Sequence, residues 1–96
     1  MRNLDDRLRS IQFSPPGWHI LKYLCRRFPD CVDISSIEFA AIADEIAFIK
    51  AVEALRDNGL VLYEQFVRDG INPPLFVMVS LSIKGERLTR NYSQIV

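Results

Sequence analysis

The sequence holds little of what a catalytic or metal centre is made from. It has one histidine, His19, and two cysteines, Cys25 and Cys31. His19 and Cys25 fall six residues apart on one predicted helix, about 240° around its axis at 100° per residue, so they cannot pair as base and nucleophile. One histidine and two cysteines are too few for a structural zinc site, and the two cysteines form no recognisable disulfide framework. A glycine-rich phosphate loop is also missing. Glu38, Asp44 and Glu45 stand at predicted helix starts, where the helix dipole already accounts for acidic residues. The expectation is a protein that is not an enzyme and uses no metal or cofactor.

Long apolar runs are lacking as well, which argues against a membrane-spanning helix. The first residues, with Asp5 and Asp6 and no apolar centre, do not resemble a secretion signal, so a cytoplasmic location and no membrane partner are expected. Ninety-six residues, 49% of them hydrophobic, are enough for one core and one domain.

Net charge is absent too. Twelve basic residues balance twelve acidic ones, whereas nucleic-acid-binding domains usually carry a basic excess that supplies their non-specific affinity. The charges are segregated. Residues 1–28 hold six basic against two acidic side chains, a balance of +4. Residues 29–57 hold two basic against seven acidic, a balance of −5, and the remainder is at +1.

What is present is strong local patterning. Leu4, Leu8 and Ile11 form one stripe of a short N-terminal helix that must pack on something, either this domain's own core or a second subunit. Ser14 is a candidate N-cap, with Pro15 at the first helical position, for a helix from about Pro15 to Phe28 that ends before Pro29. Trp18, Leu21, Leu24, Cys25 and Phe28 make its expected buried face, with Ile20 at the margin. His19, Lys22, Tyr23, Arg26 and Arg27 make a basic opposite face, most simply a solvated one.

Cys31–Ile34 is a minimal strand. Ser35 and Glu38 then match a capping box, with Ile34 and Phe39 at the staple positions, for a helix from about Ser36 to Ala43. Asp44 caps the next helix, whose Phe48, Ile49, Val52 and Leu55 recur on one face. All residues from Ala40 to Ala43 favour helix, so a single helix from Ser36 to Asn58 is the alternative; a tight turn before Asp44 is preferred. Asn58-Gly59 is a helix stop. A strand from Leu60 to about Val67, a wide turn at Arg68–Pro74 and an apolar return strand Leu75–Leu81 follow. Both faces of that return strand read as apolar, as if it were covered on two sides. Ser82 caps a last helix in which Leu88 and Tyr92 point inward.

Two stretches carry a family resemblance. Leu55 to Val61, read as L-x-x-x-G-L-V, resembles the junction of recognition helix and wing in winged helix-turn-helix domains. Leu81-Ser82-Ile83-Lys84-Gly85-Glu86-Arg87-Leu88 looks like the L-T-x-K-G-x-x-L that leaves the wing in many small bacterial regulators, with Ser82 in place of threonine. The order of elements agrees over Ser14 to Tyr92. The family's glycine in the helix–helix turn is missing.

The resemblance implies an α+β, mostly α fold: one winged helix-turn-helix domain at 14–96, with a three-helix core, a β-hairpin wing and a C-terminal helix, preceded by a helical arm at 1–13. It implies a dimeric DNA-binding transcription regulator that places helix 44–58 in the major groove of double-stranded DNA and uses a wing at 68–72. The residues so placed are Ile46, Ala47, Lys50, Glu53, Arg68 and Lys84, with homodimer or partner contacts at Leu4, Leu8 and Ile11. The alternative is a winged-helix module that binds protein and no DNA. The charge map favours that alternative, because the part expected to read DNA is the acidic part.

Overall fold

The computed structural model describes residues 15–95, with side chains described as far as Asn91. The N-terminal arm, its contact residues Leu4, Leu8 and Ile11, the cap Ser14 and the side chain of Tyr92 lie outside the described residues. Within them the chain is a small α+β domain of three α-helices and a four-stranded antiparallel sheet. The order is α1 (Pro15–Cys25), β1 (Val32–Ser35), a 3-10 turn (Ser36–Phe39), α2 (Glu45–Asp57), β2 (Val61–Leu62), β3 (Gln65–Val67), β4 (Leu75–Leu81) and α3 (Ile83–Ile95). No helix among the described residues is long and apolar enough to cross a membrane.

The first helix is shorter than its pattern implies and is rotated from the expected setting. It ends at Cys25, and the chain turns through Arg26 to Pro29, where the Phe28–Pro29 peptide is cis. Its buried face is Gly17, Ile20, Leu21 and Leu24, the three-and-four spacing of one helical stripe. Ile20 is fully buried, not marginal, while Trp18, Cys25 and Phe28 only flank the core.

The next helix is corrected more heavily. Ser36–Ala43 forms only a 3-10 turn over Ser36–Phe39 and a further loose turn. The Glu38 carboxylate accepts from the Ser35 N–H at 2.9 Å, the backward half of a capping box. The other carboxylate oxygen accepts from the Tyr23 hydroxyl at 2.8 Å. Phe39 is buried against Phe48, with ring centroids 5.5 Å apart. Driving Phe39 into the core holds a short segment in place, but four residues cannot repay helix nucleation on their own. The continuous helix from Ser36 to Asn58 is excluded. Asp44 has extended backbone, and its carboxylate accepts from the Ala47 N–H at 2.8 Å, so a new helix begins there without a turn glycine.

β4 is the central strand, paired with β1 on one side and with β2 and β3 on the other. The expected strand Leu60–Val67 is split at Tyr63-Glu64 into β2 and β3, both antiparallel to β4. A bulge explains why β4 reads as apolar on both faces. Opposite Asp33 the register slips, Met78 takes φ 56°, and its N–H donates to the Asp33 carboxylate at 3.0 Å. One extra residue reverses the alternation. Phe76 is buried before the bulge, and Val79 and Leu81 after it, while Met78 is exposed. A row of aromatics, Tyr23, Phe39, Phe48, Phe76 and then Tyr63 or Phe66, runs through the core with centroid spacings of 4.5 to 5.7 Å.

The two stretches that carry the family resemblance grip each other. Gly59, at φ 74°, ends α2: its N–H donates to the Arg56 carbonyl at 2.9 Å and the Leu60 N–H to the Leu55 carbonyl at 3.0 Å. That pair of bonds is the Schellman arrangement. The next three carbonyls are taken by the start of α3. Lys84 Nζ donates to Asn58 O at 3.1 Å, Ser82 Oγ to Gly59 O at 2.6 Å, and the Ser82 N–H to Leu60 O at 3.0 Å. Ser82 Oγ also accepts from the Gly85 N–H at 3.0 Å, so one serine caps α3 and closes the end of α2. Gly85 is buried against the Leu60 backbone, where a Cβ would overlap the Leu60 carbonyl.

Candidate interaction face

The core sets the outward stripe of α2. Burying Phe48, Ile49, Val52 and Leu55 turns Ile46, Lys50, Glu53 and Asp57 to solvent, with Ala47 and Ala54 half-buried at its edges. That is the orientation expected from the sequence. Ile46 is 58% exposed, a large apolar side chain held in water at the start of the helix.

The loop between β3 and β4 lies beside that start. The Asp69 carboxylate organises it, accepting from the Ile71 and Asn72 N–H groups at 2.9 and 2.8 Å and from the Asn72 side-chain amide at 3.1 Å. These donors, the backbone N–H of Asn72 foremost, hold the Asp69 carboxyl below its ordinary range and keep it ionised. Gly70 at φ 80° makes the tight bend. Ile71 at the tip is 90% exposed. Arg68 lines a shallow pocket with Glu45 and the tip residues Gly70 to Pro74.

The structure therefore brings Arg68 beside the start of α2, where Ile46 and Ala47 stand, with Lys50 and then Glu53 further along the outward stripe. It separates Lys84. The ammonium of Lys84 is bound to the carbonyl of Asn58, at the far end of α2 and roughly 18 Å along the helix from Ile46 at 1.5 Å per residue. Its role is to neutralise the negative end of the helix.

Two exposed apolar side chains complete the face that sequence reasoning did not assign. Ile37 is 66% exposed on the 3-10 turn and lines a groove with Ala40, Ala43, Asp44, Glu45 and Pro73. Ile71 crowns the adjoining loop. The signal for Ile37 was its place between Ser36 and Glu38: a 3-10 turn repeats every three residues, so its inward face takes Ser36 and Phe39 and Ile37 points away. Ile71 stands among turn residues that need no apolar neighbour.

The basic strip of α1 is partly consumed by local bonds. Arg27 stacks over the Tyr23 ring with its guanidinium carbon 3.7 Å from the centroid, and donates to the Tyr23 carbonyl at 2.9 Å. The hydrogen bond to Glu38, then burial, lift the Tyr23 hydroxyl above its ordinary pKa. His19 and Arg26 remain exposed, and with Lys22 they border a second groove against Ala41 and Ile42. Cys25 lies beyond, near Lys22, Arg26 and Thr89. Burial, and after it the Glu86 carboxylate, push its thiol upward, which favours the un-ionised form. Among the described residues no three His, Cys, Asp or Glu side chains group as metal ligands.

Compared with protein-family models, curated proteins and solved structures, the chain matches none of them.

Proposed function

We propose that the chain is a winged-helix domain serving as a protein-interaction module, and that its contact face is formed by segment 36–44, the outer stripe of α2 and the wing at 68–72. One observation carries this reading: Ile37, Ile46 and Ile71 stand exposed at the end of the domain that a DNA-reading winged helix would present to phosphates. Their charged neighbours include Asp44, Glu45 and a persistently ionised Asp69. Phosphates approaching this surface meet carboxylates and exposed isoleucines, whereas a protein interface uses an apolar centre with a charged rim.

A second reading, a DNA-binding transcription regulator, draws support from a different observation. The N-terminus of α2 is cleanly capped, Lys50 points outward from mid-helix, and Arg68 flanks the helix start from the wing. Lys50 has the chemistry to donate to guanine and Arg68 to contact phosphate.

Selection from a random duplex DNA pool at low salt, followed by salt titration of any enriched site, separates the two. The module reading expects no enrichment from folded protein. An enriched motif whose affinity falls steeply with salt and drops in Lys50→Ala and Arg68→Ala would overturn it in favour of DNA recognition.

A further inference from the structure

Two grooves flank segment 36–44, and they carry opposite charge. Against α1 the groove is bordered by His19, Lys22 and Arg26 over Ala41 and Ile42. The groove also holds the Glu38 carboxylate, which accepts from the Tyr23 hydroxyl and the Ser35 N–H and leaves Lys22 and Arg26 in excess. Against the start of α2 the groove is bordered by Asp44 and Glu45 over Ile37, Ala40 and Pro73. Arg68 is the cation nearest it, sharing the adjoining pocket with Glu45. Each groove has an exposed isoleucine at its edge, Ile42 at 37% and Ile37 at 66%.

We infer that the occupant of this face is a second copy of the chain, with the basic groove of each copy meeting the acidic groove of the other. The inference rests on the interaction-module reading and names its partner. Charge complementarity carries it: Lys22 and Arg26 outnumber Glu38 in one groove, while Asp44 and Glu45 are the charged residues lining the other, so the complement of each groove lies on the same molecule. Because both grooves adjoin one segment, a two-fold axis over that segment makes both contacts at once. The assembly then closes as a dimer, and does not propagate as a head-to-tail fibre. The same step covers Ile37 and Ile42, which gives the contact an apolar centre between two charged flanks.

The test is sedimentation velocity of the full chain over a concentration series at low and high salt. The wild type is expected to dimerise at low salt and to dissociate as the ionic strength shortens the reach of the charges. His19→Glu/Arg26→Glu and Asp44→Asn/Glu45→Lys, all at exposed groove positions, should each raise the dissociation constant about tenfold or more, the asparagine keeping the helix cap. An equimolar mixture of the two double variants should recover the dimer, because their reversed grooves again match; a loss of folding cannot produce that recovery. A wild type that stays monomeric overturns the inference, as does a mixture that fails to recover. Neither result touches the module reading, which stands or falls on the DNA selection.

Discussion

Gly85→Ala should destabilise the domain, although helix propensity alone predicts the opposite. Gly85 is a buried residue in the first turn of α3, and glycine costs a helix about 1 kcal/mol relative to alanine. In open space the substitution would therefore stabilise by up to that amount. Here the added Cβ overlaps the Leu60 carbonyl and approaches its carbon and Cα. Those atoms are backbone and cannot rotate away. The start of α3 must withdraw, which stretches the bonds from Ser82 and Lys84 to the carbonyls of Gly59, Leu60 and Asn58. Overpacking of this kind costs about 1–3 kcal/mol, and loosening these bonds, two of which are exposed, adds at most about 1 kcal/mol. A net loss of about 2 kcal/mol is expected, or roughly 8–16 °C in Tm for a domain of this size. Urea and thermal unfolding monitored by circular dichroism measure it. A variant as stable as the parent, or more stable, would refute the close-approach argument and with it the structural explanation of the lysine-glycine motif.

Further outcomes follow from single contacts. Asp44→Ala removes the acceptor for the Ala47 N–H and should cost about 1 kcal/mol in urea unfolding; Asp44→Asn should recover most of it, and equal losses in both would show that the cap bond is not the cause. Met78 is a non-glycine residue at φ 56°, so Met78→Val should lose about 1–2 kcal/mol while Met78→Gly holds or gains stability, and a valine variant matching the parent would contradict the strain. The Asp69 carboxyl has its folded pKa lowered. Its loop bonds are thus fully present above the unfolded carboxylate value and are lost as pH falls through the lower folded one. The Ile71 and Asn72 amide resonances followed by NMR should move together over that acidic interval; movement centred at the ordinary aspartate value would argue against it. The Tyr23 hydroxyl has its pKa raised above 10.0, so its hydrogen bond contributes below the unfolded value and is lost as pH rises through the folded one. Glu38→Gln should bring its ultraviolet ionisation curve back toward lower pH.

Much of the fold was legible because short-range chemistry decided it. Asp44, Gly59 and Ser82 marked the boundaries of α2 and α3, since each satisfies backbone groups within a few residues of itself. The misreadings concern residues governed by distant partners. The setting of α1 turned on Gly17 and Ile20 joining Leu21 and Leu24 on the buried face, which a stripe drawn through the large apolar residues alone could not reveal. Residues Ser36 to Ala43 have helical propensity, but the placement of Phe39 beside Phe48 and the bond from Ser36 N–H to Pro74 O fix them in a tighter path. The bulge at Met78 was invisible because it depends on Asp33, 45 residues away. The candidate face divided in the same way. The outward stripe of α2 was readable from period alone, whereas exposed Ile37 and the bound state of Lys84 required the tertiary structure.

The motifs that most resemble a DNA-binding family thus have a complete structural explanation inside the domain. Ser82, Lys84 and Gly85 are occupied in closing the end of α2, and any chain that joins this helix, strand and helix at the same angle faces the same carbonyls. Their presence is evidence about architecture and carries no information about a ligand. The opposite holds for Ile37, Ile46 and Ile71: no packing among the described residues covers them, and exposing three large apolar side chains beside carboxylates does nothing for that part of the fold. Residues that the fold does not need are where partner recognition has to be sought, and here they are isoleucines among acids, not a cluster of arginines. That contrast is the physical reason for weighting protein contact above DNA contact in a chain whose most recognisable motifs point the other way.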